Sequence, residues 1–138
     1  MTYHVYSGPR KVALSEVALN GAKLAAGLKS IGVGDGDSFA TVMRNDFAML
    51  ETMVAGNLIG AYAVPVNWHA TGEEAGYMLT DSGAKAIVVH ADLMPGIASH
   101  MPDGVPVLVV ATAPEIAAAY GVPPALCEVP EGATDYEE

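Results

Sequence analysis

Two places in the chain hold residues whose types and spacing best suit chemistry. Asn67-Trp68-His69 sets an amide, an indole and an imidazole directly after the short apolar run from Tyr62 to Val66. The carboxyl end of a strand is where ligands of open α/β sheets bind, so Trp68 and His69 are the candidate substrate contacts. The stronger competing reading has Trp68, the only tryptophan, plugging an inter-domain seam, with His69 hydrogen-bonded to a nearby carbonyl. Gly32-Val33-Gly34-Asp35-Gly36 has the glycine density of a phosphate cradle. Its place in the chain argues against that use. Dinucleotide glycines follow a strand and open a helix, whereas these close a helical pattern and precede the strand pattern Ser38 to Met43. They read as a helix-to-strand turn.

The other candidates reduce to structure. His4, His69, His90 and His100 fall at irregular spacings with none paired across one helix face, so no metal site is expected. Cys127 has no cationic neighbour in sequence to favour its thiolate. Ser82-Gly83 lacks both the strand-turn-helix setting and the Gly-x-Ser-x-Gly pattern of a nucleophile elbow, and is better read as a helix ending. No catalytic residue is assigned.

The elements that must position these residues follow from periodicity and punctuation. Residues 2–10 read as a surface lead-in broken by Ser7-Gly8-Pro9. Ser15 is the expected N-cap of a helix whose buried stripe is Val17, Gly21, Leu24, Leu28 and Ile31, with Glu16, Asn20, Lys23 and Ser30 opposite. Asn45 or Asp46 caps a second helix from Phe47 towards Ile59. Apolar residues run nearly round its circumference, as in helices covered on most sides. The run Tyr62 to Val66 contains Pro65, which cannot donate to a ladder, so a strand end or sheet edge is expected. Thr71-Gly72-Glu73-Glu74 has the spacing of a capping box for a helix carrying Ala75, Met78 and Leu79 and ending at Gly83. A strand from Lys85 to Val89, a short helix with Pro95 in its first turn, and a strand from Val105 to Val110 follow. Thr112-Ala113-Pro114-Glu115 repeats the capping-box spacing before a helix that ends at Gly121. Residues 122–138 form an acidic extended segment, and Asp135-Tyr136-Glu137-Glu138 resembles the start of another helix. Strands separated by helices imply an α/β fold with a mostly parallel sheet and helices on its faces.

The totals narrow the function class. Sixteen Asp and Glu against six Lys and Arg give a formal charge of −10, which repels nucleic acid and anionic membrane surfaces. No apolar stretch reaches the length of a membrane span. One cysteine cannot form an internal disulfide and fits a reducing, cytoplasmic setting. Charged residues make up only 16% of the chain and hydrophobic ones 51%, where about 25% charged is usual. Small domains have much surface to cover, so the deficit points to faces meant to meet more protein.

The stretch GAYAVPVNWHATGEEAGYMLTDSGAKAIVVH, preceded by LKSIGVGDGDSFATVMRNDFAMLETMVAGNLI, resembles the amino-terminal region of the adenylate-forming enzymes, the acyl-CoA synthetase and ligase group. The similarity runs from about Ser15 to Val110 and is densest from Gly32 to His90. It implies that the chain is part of the large amino-terminal domain of such an enzyme, residues 1–138 being a partial subdomain with its core at 15–121. It also implies a parent enzyme that uses ATP, magnesium and coenzyme A to join a carboxylate to a thiol. The phosphate-binding loop, the nucleotide contacts, the hinge and the catalytic lysine of the family lie downstream of the similar region. The resemblance therefore carries over no catalytic residue. This chain alone is expected to bind no cofactor, to be inactive, and to have the remainder of the parent chain as its partner, or itself through exposed apolar surface. The alternative is a stand-alone α/β binding or interaction module. A flavodoxin-like nucleotide binder is disfavoured because Arg44-Asn45-Asp46 is no phosphate loop.

Overall fold

The computed structural model describes all 138 residues. Its frame is a five-stranded sheet in the order β4-β3-β5-β6-β7, every neighbouring pair parallel. The strands are β3 (Ser38–Val42), β4 (Tyr62–Pro65), β5 (Ile87–His90), β6 (Val107–Val110) and β7 (Thr134–Asp135). The expected α/β architecture is thus the observed one. β5 is central and buried at all four residues, as its unbroken apolar run requires of a strand covered on both faces. β4 is an edge, so Pro65 leaves no ladder partner without a donor.

Strand alternation divides the core in two. Phe39, Val88 and Val110 point to one face and pack with Leu24, Leu28 and Ala55. Those residues come from α1 (Leu14–Ser30) and α2 (Phe47–Ile59). Ala40, Ile87, Val89 and Val109 point to the other face and meet Ala75, Leu79 and Ile97, which belong to α3 (Gly72–Asp81) and α4 (Met94–Ile97). The period of two along each strand makes this a three-layer sandwich. A single turn of 3-10 helix, Ala98–His100, extends α4. A last helix, α5 (Pro114–Tyr120), ends at Gly121 in the left-handed conformation, φ 64°, where a side chain would be strained.

Several local expectations are corrected. Residues 4–13 are no simple lead-in: β1 (His4–Ser7) and β2 (Arg10–Ala13) form an antiparallel hairpin turning at Gly8-Pro9. Gly8 has φ +55°, which suits the first central residue of a two-residue hairpin turn. Because β2 runs straight into α1, Ala13 rather than Ser15 is the N-cap, and the Leu14 N–H donates to the Tyr3 carbonyl at 2.9 Å. The hairpin supplies what a capping side chain would. Ile31 lies past the end of α1 and is 38% exposed, and Ala25 takes its place in the buried stripe. Thr71 and Glu74 do form the reciprocal capping box. Thr112 and Glu115 do not: Ala113 caps α5 without a side-chain bond, because both polar side chains are committed elsewhere. Residues 135–138 do not start a helix. β7 pairs with β6 there, the Tyr136 N–H continues the ladder to the Val109 carbonyl, and the Tyr136 ring packs on the α1–α2 side of the core. Pro124–Leu126 is a 3-10 turn within the segment read as extended.

α1 and α2 approach closely because Gly21 has no side chain. A Cβ there would lie 2.6 Å from both Cβ and Cγ1 of Val54, whereas one at Gly27 would meet nothing within 4 Å. The two glycines of one helix should therefore respond oppositely to alanine. Gly21→Ala is expected to destabilise by about 1 to 2 kcal/mol, overpacking outweighing helix propensity. Gly27→Ala should stabilise by about 0.5 to 1 kcal/mol. Urea midpoints of the two variants moving the same way would contradict this account of the interface.

Candidate functional site

The crevice that open α/β sheets offer to ligands lies where strands diverge to opposite sides. Here β3 is followed in space by β4 on one side and β5 on the other, so that place is the carboxyl end of β3 and β5. Each strand run is followed by polar residues two apart: Arg44 and Asp46 after β3, His90 and Asp92 at β5. Thr112 lies just beyond β6. Parallel register brings these ends level.

There the side chains bind one another. The Arg44 N–H donates to His90 Nδ1 at 3.0 Å, and His90 Nε2 lies 2.9 Å from Asp46 Oδ2. Because Nδ1 must accept, Nε2 carries the proton and donates to the carboxylate. Asp46 Oδ1 accepts from the Met49 N–H at 3.2 Å and so caps α2. Arg44 Nε and Nη2 both donate to Asp92 Oδ2, at 2.9 and 2.8 Å. The other oxygen of Asp92 accepts from the Thr112 hydroxyl at 2.7 Å, while that hydroxyl accepts from the Asp92 N–H. His90 is fully buried, and Arg44, Asp46 and Thr112 are buried with it. The histidine that the sequence leaves unassigned is therefore held at both ring nitrogens within a buried network.

Trp68 and His69 border this network. Trp68 is half-buried and His69 exposed. Their rings stack at 3.5 Å and 28°, so His69 finds an aromatic neighbour where a carbonyl partner was expected. Trp68 also meets Tyr120 edge-on at 5.2 Å, and the Arg44 guanidinium carbon lies 4.3 Å from the Trp68 ring and 4.1 Å from that of Tyr120. An open hollow of about 680 Å³ adjoins His69, lined also by Asn67, Tyr77 and Met78.

Two further networks tie the periphery down. Glu115 Oε1 accepts from Ser7 Oγ at 2.8 Å and Arg10 Nε at 2.7 Å, joining the hairpin to α5. Glu51 is buried between Asn20 Nδ2 at 3.0 Å and the Tyr136 hydroxyl at 2.6 Å. Burial, and then Glu51 beside it, push the Tyr136 phenol well above its ordinary range. For Glu115, burial alone would raise the carboxyl, but the Ser7 hydroxyl, its own N–H and Arg10 together hold it below the usual 4.5. A carboxyl lowered by folding stabilises the fold above its unfolded value, and that stabilisation is lost as pH falls through the folded value. Glu115→Gln should therefore shallow the fall in melting temperature below about pH 4.5. Equal slopes for the variant and the parent in an acid thermal series would remove Glu115 from the acid response.

Comparison with known proteins settles the family. The model of the AMP-binding enzymes matches residues 2–128. This chain belongs to that family. It is 34% identical to a feruloyl-CoA synthase of Amycolatopsis sp over 98 residues, 69% of this chain and 20% of the relative. It is 35% identical to a 2-succinylbenzoate–CoA ligase of Geobacillus sp. over 89 residues, 64% of this chain and 18% of that one. A benzoate CoA ligase from Burkholderia xenovorans has the same fold, with TM-score 0.75 at 18% identity over 98% of this chain and 24% of the other. The chain thus spans about one fifth of the length of the curated relatives it matches.

The family name raises the question of whether the carboxyl edge fits a nucleotide. Phosphates bind where free backbone N–H groups converge beyond a strand. Here the N–H groups of Arg44 and Met49 are spent on His90 and Asp46, and two carboxylates, Asp46 and Asp92, occupy the crevice. That edge does not fit a triphosphate. No group of three or more His, Cys, Asp and Glu is placed to hold a metal ion, and no helix is long and apolar enough to cross a membrane.

Proposed function

We propose that this chain is the amino-terminal part of a cytoplasmic acyl-CoA ligase, an enzyme that uses ATP, magnesium and coenzyme A to turn a carboxylic acid into its thioester. Fatty and aromatic acids are both compatible with this reading. The observation that carries it is the AMP-binding match across residues 2–128, with the chain spanning about one fifth of the curated relatives it matches. The chain's own contribution is a scaffold sheet, with His69 on the wall of the hollow at Asn67 and Tyr77 and Trp68 stacked behind it. The nucleotide is held by other parts of the parent, because the crevice between β3 and β5 is filled by Asp46, His90, Arg44 and Asp92. By itself the chain is inactive. Exchange of labelled pyrophosphate into ATP, assayed on the isolated chain with benzoate, ferulate and a fatty acid, should stay at background. Acid-dependent exchange would overturn the scaffold reading.

The partner is the remainder of the parent chain, and in its absence a second copy. α2 carries a single charged residue, Glu51, and buries it, so its outer face holds Leu50, Met53 and Leu58, 36%, 52% and 60% exposed, with only the uncharged Asn57 among them. Tyr62 on the edge strand β4 is 68% exposed. Such a charge-free face drives association. Sedimentation of the isolated chain should show concentration-dependent self-association that Met53→Glu weakens; an ideal monomer that binds no hydrophobic dye would count against it.

A further inference from the structure

We propose that Arg44 is a positioning residue whose guanidinium plane latches the Asn67–Ala70 loop and the end of α5 to the carboxyl edge of the sheet, fixing the orientation of Trp68. The charge of Arg44 is answered by Asp92 through Nε and Nη2 alone. A lysine could meet that demand as a point charge. What it could not supply is the rest of the guanidinium. Nη1 is buried and has no hydrogen-bond acceptor, and buried donors are seldom left so. Its surroundings are ring faces: Trp68 and Tyr120 stand at 76° to each other, both within 4.3 Å of the guanidinium carbon. The guanidinium therefore sits in the corner of two rings, where its plane and charge favour aromatic faces.

The three segments that meet there are remote in sequence, and the loop otherwise meets the core through Ala70. Trp68 comes from the β4–α3 connection, Tyr120 is the last residue of α5, and Arg44 lies just past the end of β3. α5 is one short helix, with Ile116 its buried residue, and the loop holds itself by the His69 N–H to Asn67 Oδ1 bond and the Ala70 N–H to Asn67 carbonyl bond. Neither internal bond reaches the sheet. The Arg44 corner does, and Asp92 with Thr112 anchors it to β5 and β6.

Trp68 is the only tryptophan, so its fluorescence reports this corner alone. Arg44→Lys keeps the charge opposite Asp92 and removes the plane. Acrylamide quenching of Trp68 should rise by roughly two- to fivefold, the factor that loss of one cation–π contact represents, and fluorescence anisotropy should fall. Tyr120→Leu, at an exposed helix end, should give a smaller change of the same sign while leaving the fold intact. If Arg44→Lys unfolds the chain, the Tyr120→Leu result decides. Quenching and anisotropy unchanged in every folded variant would overturn the latch, leaving Arg44 a buried ion-pair partner only.

Discussion

Asp92→Ala is expected to lower the unfolding free energy by about 3 to 5 kcal/mol, the usual consequence of leaving one member of a buried ion pair without its partner. The side chains of Arg44 and Asp92 are 8% and 2% exposed. Removing the carboxylate strands a guanidinium that water cannot reach and also takes the acceptor from Thr112. Against a total stability of about 5 to 15 kcal/mol for a domain, a loss of that size is decisive. The Lys85–Asp37 pair gives the contrast within the same molecule. Its side chains are 55% and 24% exposed, solvent screens it, and Lys85→Ala should hardly move the transition. The double variant Arg44→Met with Asp92→Leu should lose less than Asp92→Ala alone, since it buries no unpaired charge. Guanidinium chloride midpoints in which the double variant is the worse of the two would mean that the pair itself, and not the stranded charge, is what stabilises.

What could be read from the sequence was whatever is local. The capping box at Thr71 and Glu74, the helix-to-strand turn from Gly32 to Gly36 and the edge strand marked by Pro65 each involve residues a few positions apart. The parallel sheet followed because strand and helix patterns alternate. The elements that depart from local pattern are decided by distant residues. Thr112 and Glu115 have capping-box spacing, yet Asp92 takes the first and Ser7 with Arg10 the second, across 20 and more than 100 positions. Tyr136 looked like the start of a helix because nothing nearby shows that Glu51, 85 residues earlier, awaits its hydroxyl. Gly8-Pro9 between Val5 and Val12 is the local hairpin signal for this turn. The network at the strand ends also left a trace: polar residues two apart, at Arg44 and Asp46 and at His90 and Asp92, each closing an apolar strand. That pattern marks side chains turned towards one edge, but not which of them pair.

Asp46 shows how tightly that edge is specified. Asp46→Ala removes the cap from the Met49 N–H, worth about 1 kcal/mol. It also leaves the Nε2–H of His90, at 0% exposure, without an acceptor, which costs about 1 to 3 kcal/mol more. The expected loss is therefore about 2 to 4 kcal/mol. Asp46→Asn, nearly the same shape, should recover only part of it. The carboxylate accepts twice, from the Met49 N–H at Oδ1 and from His90 at Oδ2, whereas an amide has one oxygen and presents N–H groups on its other side. Turning the oxygen to His90 uncaps α2. Turning it to Met49 sets an N–H against Nε2–H, and His90 cannot yield by moving its proton to Nδ1, because the Arg44 N–H already points there at 3.0 Å. One donor is left over in every arrangement. Nitrogen NMR of the imidazole should accordingly find Nδ1 bare and Nε2 protonated in the parent chain. Thermal unfolding should rank the parent above Asp46→Asn and Asp46→Asn above Asp46→Ala. An asparagine variant as stable as the parent, or a proton found on Nδ1, would break the chain of donors from Arg44 through His90 to Asp46.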